Sequence, residues 1–362
     1  MQLFLSNPFL IILIAMPIAL LGSRLSIIIA KKFNIIDYPG RTSHNIHLNP
    51  TPLAGGIAIV LSGSILVLLT GMWTDSDFLK VIIPALIIFI FGLIDDIKGL
   101  NALTKFGSQF IAVLIIVFSG IRIQILENNQ FFITGLGRTA FYFDIFLTFL
   151  WIIGITNAFN LIDSMDGVSL GTGIICSAIF FYLSISTRDP SLIFLTLFIT
   201  GIGLGMFYFN SPPARFFLGD SGAQLIGFII SIIAILFSPV DMNQNITWFI
   251  PIIILGFPIF DTCLVFFSRL RRKTSFYIAN LDHTYHRLVS MGVERTKAIT
   301  IIHLADICLG CIALVIINLP LAAANIAFIL LLLIGLGLVI ILDNQKFRKG
   351  NNVVSTKNSI LH

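Results

Sequence analysis

Eleven long apolar stretches run through this chain and restrict the folds that it can adopt. An apolar helix of about 20 residues spans the hydrocarbon core of a bilayer. The stretches lie near residues 8–30, 53–73, 79–97, 105–121, 142–162, 167–186, 191–209, 221–238, 246–268, 298–318 and 320–342. Only 11% of the 362 residues are charged, whereas a soluble globular domain carries about 25%. The sequence therefore predicts an all-α polytopic membrane protein with about 11 transmembrane helices.

The basic residues predict how the chain is oriented. Cytoplasmic loops of membrane proteins carry an excess of Lys and Arg. With the amino terminus outside, 17 of the 22 Lys and Arg residues fall on the inner side. We therefore expect an outer amino terminus and a cytoplasmic carboxyl terminus. One membrane domain would cover residues 1–342, a polar cytoplasmic tail would cover 343–362, and the outer segment 123–141 could form a small hairpin.

Four polar motifs interrupt the apolar pattern, and all of them fall on the predicted inner side. They are Asp95–Asp96, "NAFNLIDSMDG" (157–167), "NSPPARFFLGDSGA" (210–223) and "LDHTYHRL" (281–288). Each motif alone is compatible with an ordinary helix end or turn. Carboxylates that border hydrocarbon are costly and usually mark function. Their convergence on one face therefore predicts a functional site at the cytoplasmic surface.

The adjacent carboxylates of Asp95 and Asp96 need a compensating partner. Two like charges about 4 Å apart repel by roughly 4 kcal/mol at an effective dielectric constant near 20. A metal ion, a basic side chain or a proton would relieve this repulsion. If such a partner is needed, replacing either residue with Asn should preserve or raise stability without Mg²⁺. Asp163 and Asp166 are three residues apart, so on a helix they would share one face. Alone, they could instead cap the start of a helix, followed by Gly167.

The chemistry that fits these groups is phosphoryl transfer. This reaction needs a divalent cation held by oxygen ligands and cationic groups that take up phosphate charge. The basic run 268–275 and Arg287 supply positive potential beside the carboxylates. For residues 269–273, a patch that sets topology and contacts lipid headgroups is an equally good explanation.

Five blocks of the sequence, taken in order, resemble the polyprenyl-phosphate N-acetylhexosamine-1-phosphate transferases. Besides the paired aspartates they are "HLNPTPLAGG" (47–56), the Asn-x-x-Asn-x-x-Asp-x-x-Asp-Gly block (157–167), "GDSG" (219–222) and "HTYHRLVSMG" (283–292). The resemblance implies a multi-pass protein of the bacterial plasma membrane with a cytoplasmic active site. It implies transfer of a sugar 1-phosphate from a UDP-N-acetylhexosamine to undecaprenyl or another polyprenyl phosphate, with release of UMP.

The same resemblance sets further expectations about cofactor, pathway and partners. It implies Mg²⁺, with Mn²⁺ as the alternative, and a place at the first membrane step of cell-surface polysaccharide synthesis. The "PIFDT" segment (258–262) resembles the N-acetylglucosamine branch. No nucleic-acid partner is expected, and a homodimer is left open.

The resemblance also assigns roles residue by residue. The expected catalytic residues are Asp95, Asp96, Asp163, Asp166, His283 and His286. The expected substrate-binding residues are Asn157, Asn160, Asn210, Phe217, Arg287 and His47. Asp220, with Asp163, is the expected metal ligand. Tyr285 stands where the family's middle histidine is usual, and Ser164 replaces a usual glycine, so these departures leave the exact contacts open.

Two other functions remain in competition. A phospho-N-acetylmuramoyl-pentapeptide transferase is disfavoured because its run of consecutive histidines is absent. A secondary transporter would use Asp261, His303 and Asp306 as an ion path. Hydrogen bonding between helices explains Asp306 and His303 equally well. For the transferase itself, direct attack by the lipid phosphate and a route through an aspartyl-phosphate are both compatible with the sequence.

Overall fold

The computed structural model describes residues 7–39, 49–127, 138–237, 248–273 and 282–343. Within these ranges the chain forms thirteen α-helices and two two-residue strands. The helices are α1 (Phe9–Lys32), α2 (Gly55–Thr70), α3 (Ser76–Lys98), α4 (Ala102–Phe118), α5 (Arg138–Ile162), α6 (Val168–Ser184), α7 (Pro190–Asn210), α8 (Gly219–Leu236), α9 (Ile250–Ile254), α10 (Gly256–Arg272), α11 (Thr284–Ser290), α12 (Arg295–Ile316) and α13 (Leu321–Asp343). The strands are β1 (Ile36–Asp37) and β2 (Thr51–Pro52).

The helices confirm an all-α polytopic membrane protein. Eight helices in the described ranges are long and apolar enough to cross a membrane: α1, α3, α5, α6, α7, α8, α12 and α13. Helices α2 and α4 are apolar but have only 16 and 17 residues. The predicted span 246–268 coincides with α9 and α10, which are separated at Leu255. Each predicted stretch therefore coincides with a helix or a helix pair, and the number of crossings stays a prediction.

Helix α8 lies at the centre of the bundle. It packs against α2, α3, α5, α6 and α7. Of its 18 residues, 78% are buried, compared with 11% of the residues in the most apolar part of α13. The amino end of α8 is therefore surrounded by the ends of neighbouring helices, and this arrangement creates a junction for polar residues.

A glycine allows α3 to approach the amino end of α8 closely. A Cβ atom at Gly92 would lie 2.6 Å from the Cα atom of Ser221, a distance that real Cβ atoms do not adopt. Asp95 and Asp96 follow Gly92 by about one turn of the same helix. The close approach therefore brings both carboxylates against the start of α8.

The loop before α8 is fastened by backbone pairing. β1 and β2 form an antiparallel pair. The N–H of Phe217 donates to the carbonyl of Pro52 (2.9 Å), and the carbonyl of Phe217 accepts from Ala54 (3.1 Å). These bonds fix the chain that leads into Gly219.

Several predicted features lie outside the described residues. His47 is one of them, as are residues 128–137 of the predicted outer hairpin and residues 344–362 of the predicted tail.

Candidate active site

The structure brings five predicted carboxylates together around the amino end of α8. Asp95 and Asp96 lie at the end of α3, and Asp220 lies in the first turn of α8. Asp163 and Asp166 lie between α5 and α6, and Asp163 interacts electrostatically with Asp220, Asp96 and Asp166. Segments that are far apart in the sequence therefore form one acidic cluster.

The local structure around Asp163 is set by the ends of two helices. Helix α5 ends at Ile162, and α6 starts after Gly167, whose φ of +77° is left-handed. Asp163 and Asp166 therefore lie in the turn between these helices, where the predicted spans 142–162 and 167–186 also leave a gap, and they do not share a helix face. The glycine permits this turn at low cost, because residues with a Cβ atom adopt that conformation rarely.

Lys105 supplies positive charge directly inside the acidic cluster. Its Nζ atom lies 3.0 Å from Asp220 Oδ2 and forms an ion pair with Asp95 Oδ2. In the sequence, Lys105 is one of the 17 basic residues on the predicted inner side, and this contact was not predicted. The available signal was its position near the start of α4, ten residues after Asp95.

Asp96 caps α8 from a different helix. Its Oδ1 atom accepts from the N–H of Asp220 (2.7 Å), and its Oδ2 atom accepts from the N–H of Ser221 (3.2 Å). The Ser221 hydroxyl also donates to Oδ2. A carboxylate at a helix amino end satisfies free N–H groups and is favoured by the helix dipole. This geometry argues against the expectation that Asp96→Asn would preserve or raise stability.

Asp95 and Asp96 each have a favourable partner within the protein. Asp95 pairs with Lys105 and accepts from the N–H of Leu100. Asp96 binds the amino end of α8. These partners are a lysine and a helix terminus.

Asp163 is the carboxylate best suited to hold a cation. It is half-buried, and loss of hydration followed by the charges of Asp220, Asp96 and Asp166 raises its pKa well above the usual range. Among the described residues, no three His, Cys, Asp or Glu side chains form a ready-made metal cluster. Mg²⁺ commonly uses only one or two protein carboxylates together with water and substrate phosphates, so Asp163 and Asp220 fit this ion.

The predicted asparagines serve three different contacts. Asn160 hydrogen-bonds Asp220. Asn157 donates to Gln109 Oε1 (2.8 Å) and to the carbonyl of Ile153 (2.8 Å). Asn210 is buried and donates to the carbonyl of Phe216 (3.2 Å), within the loop before α8. The nucleotide contacts predicted for these residues and for Phe217 stay predictions.

The histidine motif is anchored through Asp261. The Nδ1 atom of His283 lies 2.7 Å from Asp261 Oδ2, and the N–H of Thr284 donates to Asp261 Oδ1 (2.6 Å). Asp261 is only 1% exposed. This contact fixes the start of α11, where His283 precedes His286, and it leaves the other ring nitrogen of His283 for a different partner.

Arg287 makes structural hydrogen bonds to three other parts of the chain. Its guanidinium donates to the carbonyl of Leu342 (2.7 Å) and to the Ser268 hydroxyl (2.8 Å). Its Nε atom donates to the carbonyl of Asp282 (2.7 Å). These bonds tie α11 to the ends of α10 and α13, and the predicted phosphate contact of Arg287 stays a prediction.

Asp306 makes a contact between helices. Thr172 donates to its Oδ2 atom at 2.7 Å, which joins α12 to α6. The transporter hypothesis proposed Asp261, His303 and Asp306 as an ion path. Asp306 bonds to Thr172 and Asp261 contacts His283, so both have structural contacts within the protein.

Comparison with known proteins identifies the family. Residues 78–238 match the model described as glycosyl transferase family 4. The chain is also 33% identical, over 282 residues, to a probable undecaprenyl-phosphate N-acetylglucosaminyl 1-phosphate transferase of Bacillus subtilis. This match covers 76% of the chain and 75% of the relative. The chain belongs to glycosyl transferase family 4. The segment matched by the family model contains all five carboxylates and Lys105.

Two other relatives separate the branches of the family. A decaprenyl-phosphate N-acetylglucosaminephosphotransferase of Mycolicibacterium smegmatis is 28% identical over 76% of this chain and 74% of its own length. A phospho-N-acetylmuramoyl-pentapeptide-transferase of Lactobacillus johnsonii is 32% identical, but over 49% of this chain and 59% of its own length. The more extended matches support the predicted N-acetylglucosamine branch.

Proposed function

We propose that this protein transfers N-acetylglucosamine 1-phosphate from UDP-N-acetylglucosamine to a polyprenyl phosphate and releases UMP. The observation that carries the proposal is the acidic cluster with Lys105 at the amino end of α8, in a chain of this family. Relatives named for the same transfer match three quarters of the chain. The product would be a polyprenyl diphosphate sugar, as required for cell-surface polysaccharide synthesis.

In the proposed reaction, an oxygen of the lipid phosphate attacks the β-phosphorus of the UDP-sugar. A new P–O bond forms to that phosphorus, and its bond to the oxygen that bridges to UMP breaks. The phosphate monoester is already ionised near neutral pH, so a strong general base is not required. The protein's contribution is positioning and electrostatic stabilisation, as in other phosphoryl transfers.

We assign Asp163 and Asp220 to Mg²⁺, with Asn160 supporting Asp220. When bound, Mg²⁺ would neutralise pyrophosphate oxygens and stabilise the departing UMP. Lys105 holds the Asp220 carboxylate in place at 3.0 Å and adds positive charge near the reacting phosphates.

The contacts of Asp95 and Asp96 disfavour an aspartyl-phosphate route through either of these two residues. Both oxygens of Asp96 are bound to the amino end of α8. Asp95 accepts from the N–H of Leu100 through Oδ1 and forms an ion pair with Lys105 through Oδ2. A nucleophilic carboxylate would have to leave these partners before it could attack. A single displacement needs no such rearrangement.

The proposal includes the finer features of topology. We place the amino terminus outside, the acidic cluster in the cytoplasm and about 11 helices in the bacterial plasma membrane, because the basic residues favour this orientation. UDP-sugars are cytoplasmic, so this orientation brings the donor to the site. A homodimer remains a sequence prediction.

A radiolabelled donor tests the proposal. Purified protein in detergent, polyprenyl phosphate, Mg²⁺ and UDP-N-acetylglucosamine carrying a labelled sugar should yield label in the organic phase. UDP-N-acetylmuramoyl-pentapeptide should yield little. If neither donor labels the lipid under any divalent cation, the proposed function is wrong. If only the pentapeptide donor works, the protein belongs to the other branch.

A further inference from the structure

Three amide side chains, of which Gln109 and Gln224 are buried and Asn157 is half-buried, form a connected layer next to the acidic cluster. Gln109 Nε2 donates to Gln224 Oε1 (3.0 Å) and to Asn157 Oδ1 (3.3 Å). Asn157 Nδ2 returns a bond to Gln109 Oε1 (2.8 Å). Gln109 is 1% exposed and Gln224 is 4% exposed. We call Gln109, Asn157 and Gln224 the amide layer.

Each residue of the amide layer lies on the same helix as a residue of the acidic site. Gln109 follows Lys105 by four residues in α4, and Gln224 follows Asp220 by four residues in α8. Asn157 precedes Asn160 by three residues in α5. Residues three or four apart share a helix face, and one turn rises about 5.4 Å. Each amide therefore lies one turn from a site residue, on the same three helices.

The bonding capacity of Asn157 is largely used inside the protein. Both of its donor hydrogens are engaged, one by Gln109 and one by the carbonyl of Ile153. An amide has two donor hydrogens and an acceptor oxygen, and the Oδ1 atom already accepts from Gln109. Asn157 can reach a nucleotide only by giving up contacts within the bundle.

We propose that the amide layer is a register lock, in which Gln109, Asn157 and Gln224 are positioning residues. By joining α4, α5 and α8, it holds Lys105 at bonding distance from Asp220 and keeps Asn160 beside that carboxylate. A buried amide that loses its partner has given up hydration without a replacement bond, so rotation or sliding of one helix against the others is penalised. The role in turnover rests on the proposed function.

Substitution by methionine tests the lock at nearly constant side-chain volume. We expect Gln109→Met and Gln224→Met each to lower kcat about 10–100-fold, the usual effect of losing a partner that orients a metal ligand. The KM for UDP-N-acetylglucosamine should change by less than about threefold, because no direct substrate contact is removed. Since both substitutions break the same Gln109–Gln224 bond, the double variant should be little slower than the slower single variant.

A second measurement does not depend on turnover. Without lipid acceptor, Mg²⁺ and UMP should raise the melting temperature of the unsubstituted protein, because a ligand stabilises the state that binds it. The shift should be smaller in both methionine variants, since Asp220 is no longer held in register.

Ser177→Ala is the matched control. Ser177 is fully buried and donates to the carbonyl of Thr196 at 2.7 Å, which joins α6 to α7 away from the acidic cluster. Ser177→Ala and the two methionine substitutions each remove buried hydrogen bonds, so all three should lower the melting temperature of the protein without ligand. Ser177→Ala should nevertheless leave turnover within about twofold.

The outcomes separate this inference from the proposed function. If the unsubstituted protein transfers no sugar phosphate, the proposed function fails. If it transfers normally and Gln224→Met behaves like Ser177→Ala in turnover and ligand-induced melting shift, the register lock is wrong. Full additivity of the two methionine substitutions in kcat would also contradict it.

Discussion

The capping of α8 by Asp96 leads to a quantitative prediction for Asp96→Asn. The three bonds to Asp96 are divided between its two oxygens, and Asn has only one acceptor oxygen. At least one bond must therefore be lost, and a hydrogen bond to a charged group contributes about 1.5–3 kcal/mol. Asp95 is already paired with Lys105, so removing the charge of Asp96 relieves less repulsion between the two carboxylates. We expect the free energy of unfolding to fall by about 1–3 kcal/mol.

The assay is thermal melting of purified protein in detergent without Mg²⁺, followed by turnover of the same sample. Both should fall, because the cap holds the first turn of α8, which carries Asp220.

Asp75→Asn provides a matched comparison for Asp96→Asn. Asp75 caps α3 and likewise accepts from two backbone N–H groups and one serine, Ser191. All three bonds go to one oxygen, and Asn caps helices about as well as Asp. Asp75→Asn should therefore retain most of its stability and its turnover. If Asp96→Asn loses turnover while its melting temperature holds or rises, Asp96 is a free reacting group and the capping account is refuted.

Three further predictions address the cation, the histidine motif and the orientation. Lys105→Met should lower kcat about 10²–10³-fold, because a preorganised charge is lost. Near-normal kinetics would show that Lys105 does not contribute to catalysis. Asp261→Asn should lower kcat more than it raises KM, because the ring of His283 loses its orienting acceptor. If the variant turns over as fast as the unsubstituted protein, the Asp261–His283 contact has only a structural role. In a background without native cysteines, an impermeant thiol reagent applied to intact cells should label Ser76→Cys but not Lys98→Cys. The opposite labelling would reverse the proposed topology.

Much of the fold could be predicted because the bilayer imposes strict rules. Backbone groups in hydrocarbon must be satisfied within a helix, so long apolar runs identify the helices even without knowledge of their packing. The basic residues likewise predict one face on which Asp95, Asp163 and Asp220 converge. The structure brings these residues together at the amino end of α8.

The contacts within the site depend on packing that the sequence does not display. Lys105 and Asp220 are 115 residues apart, and their bond requires α4 and α8 to meet in one register. The cap formed by Asp96 similarly depends on the close approach at Gly92. The turn at Asp163, by contrast, agrees with the gap between the predicted spans 142–162 and 167–186.

The bracing role of Arg287 was hidden for a related reason. Basic residues near a predicted phosphate site favour a substrate contact, and composition offers no way to see a competing partner. Here the partners are the end of α13 and Ser268 in α10. Only the folded structure shows that the Arg287 guanidinium donates hydrogen bonds to these groups.

The fate of the β-phosphate of the donor tests the central claim most directly. UDP-N-acetylglucosamine labelled with ³²P at that phosphate should be incubated with Mg²⁺, polyprenyl phosphate and either the unsubstituted protein or Asp220→Asn. Transfer of the sugar 1-phosphate predicts label in the lipid and UMP in the aqueous phase with the unsubstituted protein. It predicts almost no lipid label with Asp220→Asn, because Mg²⁺ loses a charged oxygen ligand. Labelled UDP in the aqueous phase together with an unlabelled glycolipid, or full activity of Asp220→Asn, would contradict the account.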